Sequence, residues 1–218
     1  MSRPEKTLVA LSRQMGAGGA YVGQSVSRQL GIRYVDREIL QEAAKILGRD
    51  DSELEILEER VTSLWSRMAG VLAWGAPEAA YVPPPMPTLD GEDLFAVEAG
   101  IIREIAARED ALFVGRAATW VLRQEPTLIS VFLHAPEAVR VERVMRDYQM
   151  ADAAATLELV RRSDHDRSRF LQSLSGGSWL DLSQYHLSID TGAVSLDETV
   201  DLIARLVLRR RPSIARNP

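Results

Sequence analysis

The residues with the most chemical potential are a glycine-rich turn and a set of arginines. Ser12-Arg13-Gln14-Met15-Gly16-Ala17-Gly18-Gly19-Ala20 follows the apolar run Thr7 to Leu11 and precedes the helical stretch Tyr21 to Leu30, which Gly31 closes as a C-cap. Strand, glycine turn and helix together make the geometry for holding phosphate. Glycines let backbone N–H groups turn inward, and the helix N-terminus adds partial positive charge. A glycine turn with no ligand is the plain alternative. The Walker spacing G-x-x-x-x-G-K-[ST] is not met. With Gly18 as its second glycine, Arg13 stands at the first, Gly19 where the lysine belongs and Ala20 where the magnesium-binding hydroxyl belongs. Arg13 is then the cation inside the turn, with a fork suited to phosphate oxygens in place of the absent lysine. A surface arginine paired with an acid is the alternative.

These residues need elements to position them, and the sequence supplies an alternation. Apolar runs at Thr7–Leu11, Ala111–Val114, Leu128–Leu133 and Tyr185–Ile189 read as strands, with a shorter one at Arg33–Val35. Helical patterns lie between them: Tyr21–Leu30, Arg37–Leu47 with Asp36 as N-cap, a stripe after the capping box Ser52-x-x-Glu55, and a helix marked by Phe95, Ala99, Ile102 and Ile105. Three more follow, from Pro136 to about Tyr148, from Ala151 to Leu174 and from Leu196 to Leu208. Continuously apolar strands alternating with helices predict a parallel sheet covered on both faces. In such sheets ligands bind beyond the carboxyl ends of the strands, so the loops after Leu11, Val35, Val114, Leu133 and Ile189 are the ones to inspect. Ala76 to Asp90, with Pro77, Pro83, Pro84, Pro85 and Pro87, cannot continue a helix and reads as a surface loop.

Composition narrows the classes. The chain of 218 residues, 46% hydrophobic and 26% charged, has the make-up of a globular domain, one domain or one with an inserted subdomain. Its net charge of −5 disfavours a general nucleic-acid binder. The absence of cysteine removes disulfide scaffolds, thiol catalysis and Cys-based metal sites. His134, His165 and His186 are scattered without metal-ligand spacing, and no G-x-S-x-G elbow occurs. No apolar run approaches the ~18 residues of a membrane span, and the polar start lacks a leader's apolar stretch. A cytoplasmic enzyme or binding protein is expected, with no membrane and no nucleic-acid partner. A monomer and a homodimer packing through the Trp65 stripe both stay open.

The run Leu8 to Gly19, followed by Leu30-Gly31-Ile32-Arg33-Tyr34-Val35-Asp36-Arg37-Glu38, resembles the cytidylate kinase-like family, a branch of the P-loop nucleoside monophosphate kinases. Phe113-Val114-Gly115-Arg116-Ala117-Ala118, Val139 to Met145 and Leu187-Ser188-Ile189-Asp190-Thr191-Gly192 agree in order and spacing. The lysine-less S-R-Q-x-G-x-G-G loop is typical of that branch. The resemblance implies a P-loop NTPase three-layer sandwich: a five-stranded parallel sheet flanked by helices, with a helical nucleotide-monophosphate-binding insertion and a short lid. The core would comprise 1–45, 104–145 and 176–218, the insertion about 46–103 and the lid about 146–175.

The resemblance also implies roles. ATP phosphates would lie on Ser12, Arg13, Gln14, Gly16, Ala17, Gly18, Gly19, Ala20 and Tyr21, with Arg143 leading into the lid. Arg116 matches the arginine of a Gly-Arg-Asp motif that holds the acceptor phosphate, with Ala117 replacing the aspartate. Arg103 resembles a second acceptor-phosphate arginine, and Asp36 and Arg37 fall beside the acceptor. For the lid motif R-x-x-x-D-x-x-R two registers fit: Arg162, Asp166 and Arg169 match it in full, and Asp164 and Arg167 match its D-x-x-R part. In either, lid arginines would close on the phosphates and exclude water. For Arg140, Arg143 and Arg146 the other reading is an outer face pairing with Glu137, Glu142 and Asp147. Asp36 is equally a helix cap or a water-mediated magnesium contact. Trp65, Trp74 and Tyr81 are either base-stacking or core residues.

Expected function is therefore ATP- and Mg2+-dependent phosphoryl transfer to a nucleoside monophosphate, CMP or dCMP, with small-molecule nucleotides as partners. A nucleotide-binding sensor with weak turnover, or a kinase of another small acceptor, are the alternatives. The missing lysine, hydroxyl and aspartate motivate them.

Overall fold

The computed structural model describes residues 6–36, 91–175 and 177–210. Arg37, the helix expected at 37–47, the capping box at Ser52, the Trp65 stripe, Trp74, Tyr81 and the proline-rich loop 76–90 lie outside them, as does most of the expected insertion.

Five strands form one parallel sheet: β1 (Leu8–Arg13), β2 (Arg33–Asp36), β3 (Ala111–Val114), β4 (Leu128–His134) and β5 (Leu187–Asp190). Their order is β2-β3-β1-β4-β5. β1 is central, pairing Leu8 with both Ala111 and Leu128. Among the described residues six helices accompany the sheet: α1 (Gly19–Leu30), α2 (Gly91–Arg108), α3 (Arg116–Val121), α4 (Glu137–Asp147), α5 (Ala153–Ser175) and α6 (Leu196–Arg210).

The period of two along β1 sorts the core. Val9 and Leu11 pack with Val22, Val26 and Ile203 beneath α1 and α6. Leu8 and Ala10 pack with Ile102, Ile105, Val121 and Leu122 beneath α2 and α3. Continuing the alternation sends Arg13 toward α1, and Ser12 toward α3, where it meets Thr119 at 3.1 Å. Among the described residues no helix is long and apolar enough to cross a membrane.

Several boundaries differ from expectation. β1 runs to Arg13, because Gln14 N–H still donates to the Leu133 carbonyl at 3.0 Å and the ladder with β4 continues. The turn therefore starts later and α1 earlier, at Gly19. Tyr185 precedes the last strand. Asp181 instead caps a 3-10 turn, Leu182–Gln184, by accepting from Ser183 N–H. Pro136 is the N-cap of α4 rather than its first residue. The short α3 carries no apolar period long enough to read and was not expected. Asp36 ends β2, its carboxylate accepting from the Tyr34 hydroxyl at 2.7 Å.

Ile203 is fully buried against the sheet and Leu202 beside it is 45% exposed. Ile203→Ala is expected to lower stability by about 2–5 kcal/mol and Leu202→Ala by under about 0.5 kcal/mol, as read from urea midpoints at unchanged slope.

Candidate functional site

The site begins where β1 ends. Gly16 and Gly18 both have φ near +79°, the left-handed region that other residues enter only at a cost. Gly16 is also short of space: a Cβ there would lie 2.6 Å from the Arg140 carbonyl oxygen. Between them the loop closes on itself, Ala17 N–H donating to the Gln14 carbonyl at 3.2 Å.

Four side chains, from α4, α5 and the turn after β5, hold the loop through its carbonyls. The Arg140 guanidinium of α4 donates to the Met15 carbonyl at 3.2 Å. Arg143, one turn on, reaches the Gly16 carbonyl at 3.5 Å. Thr191, after β5, places its hydroxyl 3.1 Å from the Ala17 carbonyl. Arg167 of α5 approaches the Arg13 carbonyl at 3.5 Å. In a trans peptide the N–H of the next residue points opposite to the carbonyl. Tying the Met15 and Ala17 carbonyls outward therefore turns the Gly16 and Gly18 N–H groups inward, the arrangement that receives an anion.

The anchors are charged and largely buried. Arg140 is 6% exposed; the same Nη1 also donates to the Asp164 carboxylate at 2.6 Å, and its Nε donates to the Ala135 carbonyl at 3.0 Å. The other Asp164 oxygen accepts from Met15 N–H at 3.0 Å and lies 3.7 Å from Arg167. Arg143 is fixed by the Thr191 hydroxyl at 2.9 Å and carbonyl at 2.7 Å. On the outer side Arg161 of α5 makes two bonds to Glu137 of α4, holding that carboxyl below the usual carboxylate range.

The predicted residues thus separate. Of the two lid registers, the helix brings Asp164 and Arg167 to the loop. Arg162 is exposed and paired with Glu158, and Asp166 and Arg169 are exposed as well. The three arginines of α4 are not one outer face, because residues at i and i+6 are 600° apart on a helix, some 120° from each other. Arg140 is buried, Arg143 half-buried, and only Arg146 stays outside, bonded to Asp147. Tyr21 is 49% exposed, and its hydroxyl bonds Asp197 of α6 at 2.5 Å rather than facing the loop. Ser12 is fully buried, its hydroxyl on Thr119; the Tyr185 phenol donates to the Trp179 carbonyl at 3.2 Å, and burial pushes its pKa up. Ala20 puts a methyl at the start of α1. Arg103 lies on the exposed side of α2. Arg116 opens α3 immediately after β3, behind Gly115 at φ 138°, ψ 153°. Gly115 N–H bonds the Leu11 carbonyl, setting this turn beside the end of β1. Sequence reasoning gave no role to Thr191 and none to Arg140 as a loop anchor. The only sequence signal was that both fall inside motifs whose order and spacing fit. Among the described residues no group of three or more His, Cys, Asp or Glu side chains could hold a metal ion.

A family model described as the cytidylate kinase-like family matches residues 8–193. A cytidylate kinase of Sulfolobus acidocaldarius is 22% identical over 203 residues, 93% of this chain and 94% of that one. A cytidylate kinase of Methanococcus aeolicus is 29% identical over 110 residues, 49% of this chain, and the match spans 61% of that relative. Among solved structures, an uncharacterized protein from Eubacterium ventriosum superposes with a TM-score of 0.68 at 20% identity, over 93% of this chain and 98% of that one. A gluconokinase from Sinorhizobium meliloti gives 0.53 at 16% identity, over 95% and 94%. The fold is that of the P-loop NTPases.

Removing one member of the Arg140–Asp164 pair strands a buried charge. Arg140→Met is expected to lower stability by about 3 kcal/mol or more, and Arg140→Met with Asp164→Leu by less than Arg140→Met alone, in chemical denaturation.

Proposed function

The chain belongs to the cytidylate kinase-like family, and from that we propose that it transfers the γ-phosphoryl group of ATP to a nucleoside monophosphate, a pyrimidine nucleotide such as CMP or dCMP. An acceptor phosphate oxygen attacks the γ-phosphorus, the bond to the β,γ-bridging oxygen breaks, and ADP leaves with a nucleoside diphosphate as product. Such transfer asks mainly for alignment and for positive charge around the moving group.

The observation that carries this reading is the loop whose carbonyls are tied outward, at the carboxyl edge of the central strand, with the Gly16 and Gly18 N–H groups turned inward. In this reading the ATP phosphates rest on that loop, with Arg13 and Arg167 beside it. Arg116, opening α3 next to the end of β1, takes the acceptor phosphate. Arg37 and Arg103 are assigned to the acceptor by resemblance alone. Magnesium draws most of its ligands from phosphate and water. Ala20 offers it no hydroxyl, and Asp36, at the end of β2, would be the residue to hold it through water. The ion would neutralise charge on the phosphates.

A second reading, a nucleotide sensor with little turnover, is favoured by three residues: Gly19 in place of lysine, Ala20 in place of a hydroxyl and Ala117 in place of aspartate. Turnover separates the two. ADP release from ATP and magnesium is expected with CMP or dCMP above UMP, AMP and GMP. Arg116→Ala is expected to reduce it on the order of 100-fold. ATP binding with no release for any acceptor would select the sensor.

A further inference from the structure

The three loop glycines are glycine for different reasons. Gly16 and Gly18 have positive φ. Gly19 does not; it is the first residue of α1, where any side chain fits the backbone. What excludes a side chain is Arg13. A Cβ on Gly19 would stand 2.6 Å from Arg13 Cγ, 3.1 Å from its Cδ and 3.2 Å from its Cβ. The obstacle is the stem of the side chain, close to the backbone of β1, and not a mobile tip. Arg13 therefore leaves the end of the central strand and crosses the first residue of the helix. That is the residue from which the lysine of a Walker loop reaches the β- and γ-phosphates. Arg13 is half-buried, and among the described residues its guanidinium makes no ion pair and no hydrogen bond.

We propose that Arg13 and Gly19 are the two halves of one exchange. Arg13 carries across the start of α1 the charge that binds the β- and γ-phosphates of a nucleoside triphosphate, and Gly19 lacks a side chain so that Arg13 can pass. The proposal rests on the phosphoryl-transfer reading for its ligand. It adds that the two positions are mutually exclusive: the loop accepts a cation from 13 or from 19, and not a side chain at both. Gly19 is then a positioning residue. Placing the Walker lysine at 19 alone is harmful, because its Cβ displaces the guanidinium already in use.

The test is a double-mutant cycle with three readouts: affinity for ATP and for inorganic tripolyphosphate by calorimetry, acceptor-dependent ADP release, and thermal unfolding without ligand. Arg13→Ala is expected to weaken both ligands about tenfold or more, and turnover on the order of 100-fold. Gly19→Lys alone is expected to weaken ATP binding, and Arg13→Ala with Gly19→Lys to recover most of the loss. Gly19→Ala is expected to lower the melting temperature in the Arg13 protein and to leave it unchanged or raise it in Arg13→Ala, since alanine is then free to help the helix. This arm needs no activity and no lysine-bearing variant to fold.

Unchanged ATP affinity in Arg13→Ala, or equal effects of Gly19→Ala in both backgrounds, would overturn the exchange while leaving the kinase reading standing. Loss of ATP and tripolyphosphate binding in Arg13→Ala, with no turnover of any acceptor by the parent chain, would uphold the exchange and overturn the kinase reading. A parent chain that binds neither ligand would overturn both.

Discussion

The buried ion pair between Arg140 and Asp164 is the constraint on which the shape of the glycine loop depends. A guanidinium at 6% exposure is costly unless each of its donors finds an acceptor. Here the acceptors are one carboxylate and the carbonyls of Ala135 and Met15. The carboxylate in turn takes the Met15 N–H. Both sides of one loop peptide pair are thus fixed by the same two charges. The loop has few alternatives, since its glycines supply no side-chain contacts of their own. Its shape is imposed from α4 and α5.

That arrangement changes what the segment after α4 does. Residues 153–175 form one helix of 23 residues. Its inner face, with Asp164 and Arg167, reaches the loop. Its outer face, with Arg162, Asp166 and Arg169, is open to solvent. The bonds between Arg161 and Glu137 hold the same helix to α4 from outside. Movement of α5 away from the loop therefore separates Asp164 from Met15 and, unless α4 moves with it, from Arg140. Loop geometry and helix position form one mechanical unit.

Space, more than hydrogen bonding, shapes the start of α1. Leu196 of α6 closes on Gly18, where a Cβ would come within 2.5 Å of its side chain, and the Arg13 stem closes on Gly19. The helix N-terminus is brought against the end of the central strand more closely than a side-chain-bearing sequence allows. Backbone amides and one long cationic side chain then share a small volume, the condition under which charge and dipole act together on an anion.

The alternation of apolar runs and helical stripes, hence the parallel sheet, and the glycine turn after the first strand are legible in the order of residues alone. These are local properties: a period of two or of 3.6, and glycine where φ must be positive. The resemblance in motif order supplied the family. The arginines are told apart by packing. Arg140, Arg143 and Arg146 look equivalent in sequence, yet one is buried in an ion pair, one fixed on Thr191 and one left in solvent, because the rotation between them points each at a different neighbour. The same holds for the choice of Asp164 and Arg167 over Arg162, Asp166 and Arg169, which turns on which side of α5 meets α4. The partners lie 24 residues away for Arg140 and 149 for Met15, distances that no local pattern encodes. Gly19 shows the limit most plainly: its spacing marks a missing lysine, and only packing shows the arginine that stands in its way.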